Sequence, residues 1–463
     1  MAAQILLADA DAFFVAVARM CDPEGAGRNP LLIVGGSGDR RGVVCSASYE
    51  ARRFGVRSAM PTATALRLCP QALVVPVPRQ ACQDKSAEIA QVLAQFAPCV
   101  EAASIDEWYL DLSGTARLHG DSLHATALRI RQAVLTQVGL PLSLGGGTNK
   151  LVAKLAVELA KRPPAGAQPG AHIVPEGEEA AFMTRFQLCD IPQVGPRLTQ
   201  RLAELGLRSV ADAQRYSEEA LRGLLGARLG SWLHARIYGR CEEVVAPREG
   251  VQSVGREETF AADLYADAEL ERELLSLLSL VTAELRRMNL RARTLTVKVK
   301  DPDFTQRQRA RTLPVAVESE RTLWPIAQVL LSELREARRT GVRLLGVSLS
   351  SLVSTEFAEE QPAARPTRQL ELFAQPAGPA APVATEVPPT ETERDRAVGR
   401  LRDALREKFG SDVLRPAMCS SEVRESAYPP APLLSPPVSS GLAQPSMQPL
   451  LPRVGATPRR DIR

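Results

Sequence analysis

The sequence predicts a multidomain α+β protein, because apolar strands and amphipathic helices alternate in two separate parts of the chain. They mix over residues 1–175 and again over 252–354, and a wholly helical, glycine-punctuated stretch covers 176–240. The length of 463 residues suits about three domains. After Phe357 the composition shifts to Pro, Ala, Glu and Thr, which predicts a largely disordered C-terminal tail.

Periodicity and composition place the individual elements. Strands are predicted at 4–8, 31–34, 42–47, 100–104, 108–112, 142–147, 253–260, 292–300 and 343–353. Helices are predicted from Phe13 and over 85–96, 125–138, 150–161, 266–287 and 318–339. One strong helix, 392–409, interrupts the tail.

The composition argues against several classes of protein. Hydrophobic residues make up 45% of the chain, which allows an ordinary core, and the net charge of +4 alone says little about partners. The eight scattered cysteines include no Cys-x-x-Cys pair, and the four histidines do not lie at ligand spacing, so neither zinc nor a disulfide framework is expected. No apolar run is long enough to span a membrane and no signal region is visible, so we expect a cytoplasmic protein without a membrane partner.

Two acid clusters, each at the end of an apolar run, carry the main functional signal. Asp9 and Asp11 end the first run, and Asp106 and Glu107 adjoin another. Carboxylates at strand ends are costly to desolvate unless a cation compensates them. Mg²⁺ binds such carboxylates together with substrate phosphates, and two neighbouring strands would suit two-metal phosphoryl transfer. The alternative is that these are ordinary surface acids in turns.

The pair Asp106 and Glu107 raises a geometric condition. Adjacent residues in a regular strand point to opposite faces of the sheet. Both carboxylates can therefore serve one site only if the backbone bends at this point.

Four motifs in order resemble the Y-family of translesion DNA polymerases, of the bacterial DNA polymerase IV type. They are DADAFF at 9–14, ASYEARRFGVRSAMP at 47–61, SIDEWYLD at 104–111 and NKLVAKLAVELAK at 149–161. The resemblance implies a right-hand polymerase fold with a helix-hairpin-helix thumb and a mixed α/β little finger. Its implied boundaries are palm 1–13 and 80–175, fingers 14–79, thumb 176–240, linker 241–251, little finger 252–357 and flexible tail 358–463.

The resemblance also implies catalytic roles. Asp9 and Asp106 would hold two Mg²⁺ ions, Glu107 would be the third acid near the attacking 3′-hydroxyl, and the carbonyl of Ala10 would complete the ligand set. Asp11 matches a position that is not a main ligand, so we assign it to local structure. The implied reaction is template-directed addition of dNTPs to a primer, with low fidelity and bypass of damaged bases.

Four residues are candidates for the nucleotide site. Phe14 matches the steric gate that excludes a ribose 2′-hydroxyl, although a core aromatic is the alternative. Tyr49 and Arg52 match triphosphate contacts, and Arg offers a bidentate fork for phosphate. The alternative is that both residues lie in a solvated basic loop. Lys161 matches a further phosphate contact. The extra Arg162 before Pro163 departs from the motif and leaves open which of the two cations contacts the triphosphate.

Two regions are candidate DNA surfaces. Val194 and Gly195 lie in an Ile-Pro-Gln-Val-Gly turn that resembles a helix-hairpin-helix, whose backbone N–H groups can bind phosphate. Between 286 and 311 there are nine cations and two acids, and the predicted strand alternates basic and apolar residues. The alternative for the turn is an ordinary glycine-containing helical hairpin, and the alternative for the basic strand is a merely solvated sheet face. The candidate contacts in the basic region are Arg291, Arg293, Lys298 and Lys300.

The tail contains the pentapeptide Gln369-Leu370-Glu371-Leu372-Phe373, whose apolar side chains have no core to enter. It resembles the bacterial sliding-clamp motif, so the contacts would be Gln369, Leu370, Leu372 and Phe373; five-residue matches also arise by chance. We expect a monomer. Two rivals are a non-catalytic accessory protein of the same fold and a DNA-binding scaffold.

Overall fold

A computed structural model describes residues 3–120, 122–161, 170–247, 250–355 and 391–410. The clamp-like motif and Arg162 lie outside these ranges. The strands are β1 (Ile5–Ala10), β2 (Leu32–Gly35), β3 (Val44–Ala47), β4 (Leu73–Val75), β5 (Cys99–Ala102), β6 (Glu107–Asp111), β7 (Leu142–Gly147), β8 (Ala171–Ile173), β9 (Ser253–Leu264), β10 (Leu290–Lys300), β11 (Gln306–Val317) and β12 (Val342–Ser354).

Helices surround these strands and confirm the predicted α+β, multidomain class. They are α1 (Phe13–Cys21), α2 (Tyr49–Arg53), α3 (Thr62–Leu68), α4 (Arg79–Leu93), α5 (Ala116–His119), α6 (Leu123–Val138), α7 (Lys150–Lys161), α8 (Glu179–Met183), α9 (Pro196–Glu204), α10 (Val210–Ala213), α11 (Glu218–Leu225), α12 (Ala227–Ile237), α13 (Asp267–Arg287), α14 (Glu320–Ala337) and α15 (Glu393–Phe409). No helix in the described ranges is long and apolar enough to cross a membrane.

The palm sheet has the strand order β5-β6-β1-β7-β8. Its central strand β1 is buried along its whole length because helices cover both faces. Leu6 and Ala8 share a core cluster with α4 and α6, whereas Ile5 and Leu7 pack against α7 on the other face. The alternation of faces therefore places Asp9 on the side of α7.

The fingers contain the small sheet β3-β2-β4, and the thumb is wholly helical, as predicted for residues 176–240. Helix α2 begins at a cap, because Ser48 accepts a hydrogen bond from the Ala51 N–H. This cap fixes the start of the turn that carries Tyr49 and Arg52.

The little finger is a four-stranded antiparallel sheet in the order β11-β10-β12-β9. Its apolar face joins α13 and α14 in one core cluster. The sequence did not predict β11, because this edge strand is mostly exposed and shows no apolar alternation before Leu313. Helix α15, which the sequence did predict, packs against α13 and α14.

Candidate active site and DNA-binding surfaces

The backbones of the three predicted acids adjoin where β1 and β6 run side by side. The two strands are antiparallel, and Asp9 lies directly opposite Glu107. The Ala10 N–H donates to the Asp106 carbonyl at 2.9 Å, so Asp106 stands at the same point. Asp106 lies in a bend just before β6 begins, which is the backbone bend that the adjacent acids required.

Each of these three carboxylates has a polar partner. Lys161 Nζ donates to Asp9 Oδ2 at 2.7 Å, and Lys154 Nζ donates to Glu107 Oε1 at 2.5 Å. The Ser104 hydroxyl donates to Asp106 Oδ1 at 2.5 Å. The two lysines are seven residues apart, two turns of α7, so they lie on one face of that helix. Sequence reasoning missed Lys154; this spacing relative to Lys161 was the available signal.

Asp9 is only 5% exposed, and this burial has an electrostatic consequence. Desolvation raises the pKa of Asp9 to about 7, and the attraction of Lys161 only partly offsets it. A further cation beside Asp9 would favour the ionised form of this carboxyl group.

The donor set fits a hard divalent cation, since all its members are oxygen ligands. Asp9, Asp106, Glu107 and the Ala10 carbonyl could supply it. Within the described residues, however, no three or more His, Cys, Asp or Glu side chains gather closely enough to hold a metal ion. Lysine ammonium groups pair with the carboxylates of Asp9 and Glu107.

Asp11 has a different environment from the other acids. It accepts a hydrogen bond from the Ser143 hydroxyl at 2.8 Å, and its own N–H donates to the Pro141 carbonyl at 3.0 Å. Burial raises its pKa, against the effect of the Ser143 bond. These bonds tie β1 to the start of β7, in keeping with a role in local structure.

The candidate nucleotide residues lie near this strand end. Phe14 is half-buried and packs against two core clusters, one that joins β1 to α4 and α6 and one that joins α1 to β2. Its ring makes an edge contact with Phe13, at 5.6 Å between ring centroids. Tyr49 is 48% exposed, and the Arg52 guanidinium lies 5.0 Å from its ring centroid. Burial and then the negative charge of Asp11 raise the pKa of Tyr49.

The thumb turn presents only part of the predicted backbone site. Val194 is buried, and its N–H already donates to the Ile191 carbonyl at 3.0 Å. Gly195 is exposed at the N-cap of α9, where helix N–H groups are available to an anion. Of these two residues, only Gly195 is exposed to solvent.

The basic region of the little finger divides between two faces of the sheet. Lys298 and Lys300 lie on the polar face, and Lys298 pairs with Glu257 on β9. Arg307 pairs with Asp301, and Arg309 and Arg311 lie within 4.0 and 3.6 Å of Glu333 on α14.

The structure corrects one assignment in this region. Arg291 is 6% exposed and pairs with Glu318 at 3.3 Å, so its guanidinium does not reach the polar sheet face. Arg293 is half-buried at a bulge of β10. The count of cations alone could not separate these environments.

Family models match two parts of the chain. The impB/mucB/samB family matches residues 8–158, and its C-terminal domain matches residues 251–370. A DNA polymerase IV of Desulfatibacillum aliphaticivorans is 34% identical over 90% of this chain and 97% of that protein. A DNA polymerase IV of Halorhodospira halophila is 37% identical over 75% of this chain and 95% of that protein.

Solved structures agree with this assignment. A chimera of the Y-family DNA polymerases Dbh and Dpo4 superposes with a TM-score of 0.66 at 24% identity, covering 76% of this chain and 99% of that one; at this identity the likeness concerns the fold. An insertion ternary complex of Dbh DNA polymerase gives 0.53 at 25% identity with the same coverage. The chain therefore belongs to the Y-family of translesion, DNA-directed DNA polymerases, in the DNA polymerase IV group.

Proposed function

We propose that the chain adds dNTPs to a primer 3′-hydroxyl on a DNA template, with two Mg²⁺ ions in one active site and with low fidelity. Y-family polymerases are metal-dependent nucleotidyltransferases; the identity and number of ions are part of the proposal. The observation that supports it is that the backbones of Asp9, Asp106 and Glu107 lie next to one another where β1 and β6 run side by side. Bound there, the ions would stabilise the charge that develops on the transferred phosphoryl group.

The chain's own residues supply binding and orientation. Asp9, Asp106 and the Ala10 carbonyl would hold the ions, and Glu107 would lie near the attacking hydroxyl. Tyr49, Arg52 and Lys161 would contact the triphosphate, with Arg162 as the alternative cation. Phe14 would pack under the sugar and exclude a 2′-hydroxyl.

The proposed polymer substrate is primer-template DNA. The insertion ternary complex of Dbh supports this for the fold, and two surfaces of this chain suit a phosphate backbone. Gly195 lies at the start of α9, where its own N–H and those of the first turn after Pro196 could bind phosphate, while Arg293, Lys298 and Lys300 supply charge on the little finger. Contacts of this kind position DNA without reading its sequence.

Three further parts of the proposal concern the clamp partner, the oligomeric state and the location in the cell. The segment Gln369–Phe373 would dock on a bacterial sliding clamp, and the polymerase would act as a monomer. The location would be cytoplasmic, as expected from cysteines that are scattered without Cys-x-x-Cys pairs.

Primer extension separates this function from the two rivals. Wild type should extend a primer with Mg²⁺, whereas Asp106→Ala should lose nearly all extension yet bind DNA normally. Asp111→Ala, an acid at the far end of the same strand β6, is the matched control and should extend normally. Unchanged activity in Asp106→Ala would favour a scaffold, and no extension by wild type would favour an accessory protein.

A further inference from the structure

An exposed aromatic ring stands at the β10–β11 turn in a strained conformation. Phe304 is 63% exposed, and its φ of 64° lies in the left-handed region that bulky residues avoid. Strain of this kind persists only where surrounding structure imposes it, and it concentrates at functional sites. An exposed ring alone would be unremarkable, so the conformation is the feature to explain.

The turn around Phe304 is held rigidly. Asp301 is fully buried and accepts hydrogen bonds from Arg307 at 2.9 Å and from Arg338 at 3.0 Å. Arg338 also donates to Asp303 at 2.9 Å, and the Phe304 N–H donates to the Asp301 carbonyl at 3.0 Å. These bonds constrain the backbone of the turn that carries the exposed ring.

A cation covers one face of the ring. The Arg343 guanidinium lies 4.6 Å from the Phe304 ring centroid. Arg343 is the second residue of β12, next to the hairpin. Lys300, which pairs with Leu344 on β12 and with Gln306 on β11, brings a further cation to this end of the sheet. A planar, charged and aromatic surface of this composition suits a nucleic-acid base and its phosphate.

A second exposed aromatic lies at the same end of the sheet. Tyr265 is 68% exposed and follows Leu264, which pairs with Val342. A Cβ atom on Gly341 would lie 2.8 Å from the Tyr265 ring, so this glycine lets the ring pack against the backbone. Two fixed aromatic rings therefore flank the start of β12.

The fingers reach this end of the little finger as well. Arg41 Nη1 donates to Asp263 Oδ1 at 2.7 Å and to the Phe260 carbonyl at 3.3 Å. Asp263 is two residues from Tyr265. The aromatic surface thus lies on the part of the little finger that adjoins the fingers.

We propose that Phe304, with Arg343 and Tyr265, forms a stacking platform for unpaired bases of the template strand. The proposal rests on the proposed function, because it assumes that the chain binds primer-template DNA. It adds a contact outside the active site and assigns a ligand class, single-stranded DNA, to a surface without a known role. Stacking tolerates any base, because every base presents a π face.

The test compares two DNA molecules of equal duplex length. One carries a 5′ template overhang of twelve nucleotides (roughly the site size of a single-strand-binding fold), and the other is blunt. In fluorescence anisotropy, Phe304→Ala should bind the overhang DNA about tenfold more weakly than wild type and the blunt DNA unchanged. Phe304→Trp should retain wild-type affinity, since it keeps a stacking face.

Phe409→Ala is the matched control. Phe409 is 56% exposed and lies 5.3 Å from the Lys408 ammonium, but it is on α15. This variant should bind both DNA molecules as wild type does. A thermal melt should show that Phe304→Ala folds normally, and Arg343→Gln should weaken overhang binding in the same direction.

Three outcomes would overturn the platform. Equal loss on both DNA molecules would make Phe304 a structural residue or a duplex contact. Unchanged DNA binding would remove it from the DNA surface, and a loss of clamp stimulation alone would assign it to a protein partner. If wild type binds neither DNA, the proposed function itself fails, which is distinguishable from these results.

Discussion

Asp9 is a deeply buried acid, and its burial should make the stability of the protein depend on pH. Its pKa rises from 3.8 to about 7 on folding, because burial disfavours the charged form. The folded protein then binds more protons than the unfolded chain between these two pH values. The stability that this provides is complete below pH 4 and is lost as the pH rises to about 7.

Asp9→Asn should therefore stabilise the metal-free protein at pH 8. We expect a gain on the order of 2 kcal/mol in the free energy of unfolding, because the neutral amide needs no cation. Lys161 keeps a partner in Glu158, at 3.2 Å. Urea unfolding in EDTA measures the gain, and Asp111→Asn is the control. Identical pH dependence of stability in Asp9→Asn and wild type would contradict the account.

Phe14 tests the proposed discrimination between sugars. Phe14→Ala removes the ring from beside Phe13 and leaves room for a ribose 2′-hydroxyl, so ribonucleotide incorporation should rise at least tenfold relative to dNTP incorporation. Single-nucleotide primer extension with each nucleotide measures the ratio. An unchanged ratio would show that Phe14 is a core aromatic residue and not a steric gate.

At the level of single residues, the sequence was informative where chemistry is local. Asp9, Asp106 and Glu107 could be found because apolar runs end in acids, and the need for a bend at Asp106 followed from strand geometry. The contact of Lys154 with Glu107 and the burial of Arg291 depend on how distant elements pack, so the sequence alone did not predict them.

Helix α7 lies unusually close to β7, and Gly145 makes this approach possible. A Cβ atom at Gly145 would lie 2.1 Å from the Val157 nitrogen and 2.3 Å from the Ala153 carbonyl oxygen, both backbone atoms. Gly145→Ala should therefore displace α7 and destabilise the protein by roughly 2–4 kcal/mol. Because α7 carries Lys154 and Lys161, primer extension should fall as well.

The control for this substitution is another glycine. Gly223 in α11 has open space around its Cβ position, and Gly223→Ala should be neutral or stabilising by up to about 1 kcal/mol. Urea unfolding compares the two variants. A neutral Gly145→Ala would mean that the contact between α7 and β7 can relax.

Helix α15 is attached to the little finger through its polar face. Asp403 accepts two hydrogen bonds from Arg286, at 2.6 and 3.0 Å, and the Arg286 side chain is only 4% exposed. Arg402 makes a similar pair with Glu320, at 2.9 and 2.6 Å. Val398 and Leu401, by contrast, are 54% and 62% exposed.

Asp403→Ala should cost about 3 kcal/mol, because it leaves the buried Arg286 guanidinium without its carboxylate partner. Glu407→Ala, which removes an exposed acid from the same helix, should change stability by less than about 0.5 kcal/mol. Thermal unfolding of the two variants gives the comparison. Equal melting temperatures would show that α15 contributes little to the little finger.

Elements with strong periodicity were predictable from the sequence. The helix 392–409 agrees with α15 within a residue, because capping by Thr392 and helix-forming residues are local signals. Its attachment to α13 and α14 was not predictable, since it uses ion pairs instead of an apolar face. The edge strand β11 was not predicted because it is mostly exposed and lacks an apolar alternation over most of its length.

For the whole molecule, the proposed clamp contact gives the clearest prediction. Deleting residues 369–373 should abolish the stimulation of synthesis by a sliding clamp and leave synthesis without the clamp unchanged. Primer extension on a clamp-loaded template measures both rates. Equal loss with and without the clamp would refute the assignment.

The attachment of α15 also fixes both ends of the stretch between Thr355 and Glu391. The Thr355 N–H donates to the Asn289 carbonyl at 3.0 Å, and Glu391 accepts a hydrogen bond from the Glu318 N–H at 2.8 Å. Proteolytic cleavage between these anchors would thus yield two fragments that elute together at low ionic strength. Concentrated salt, which screens ion pairs, would release the smaller fragment.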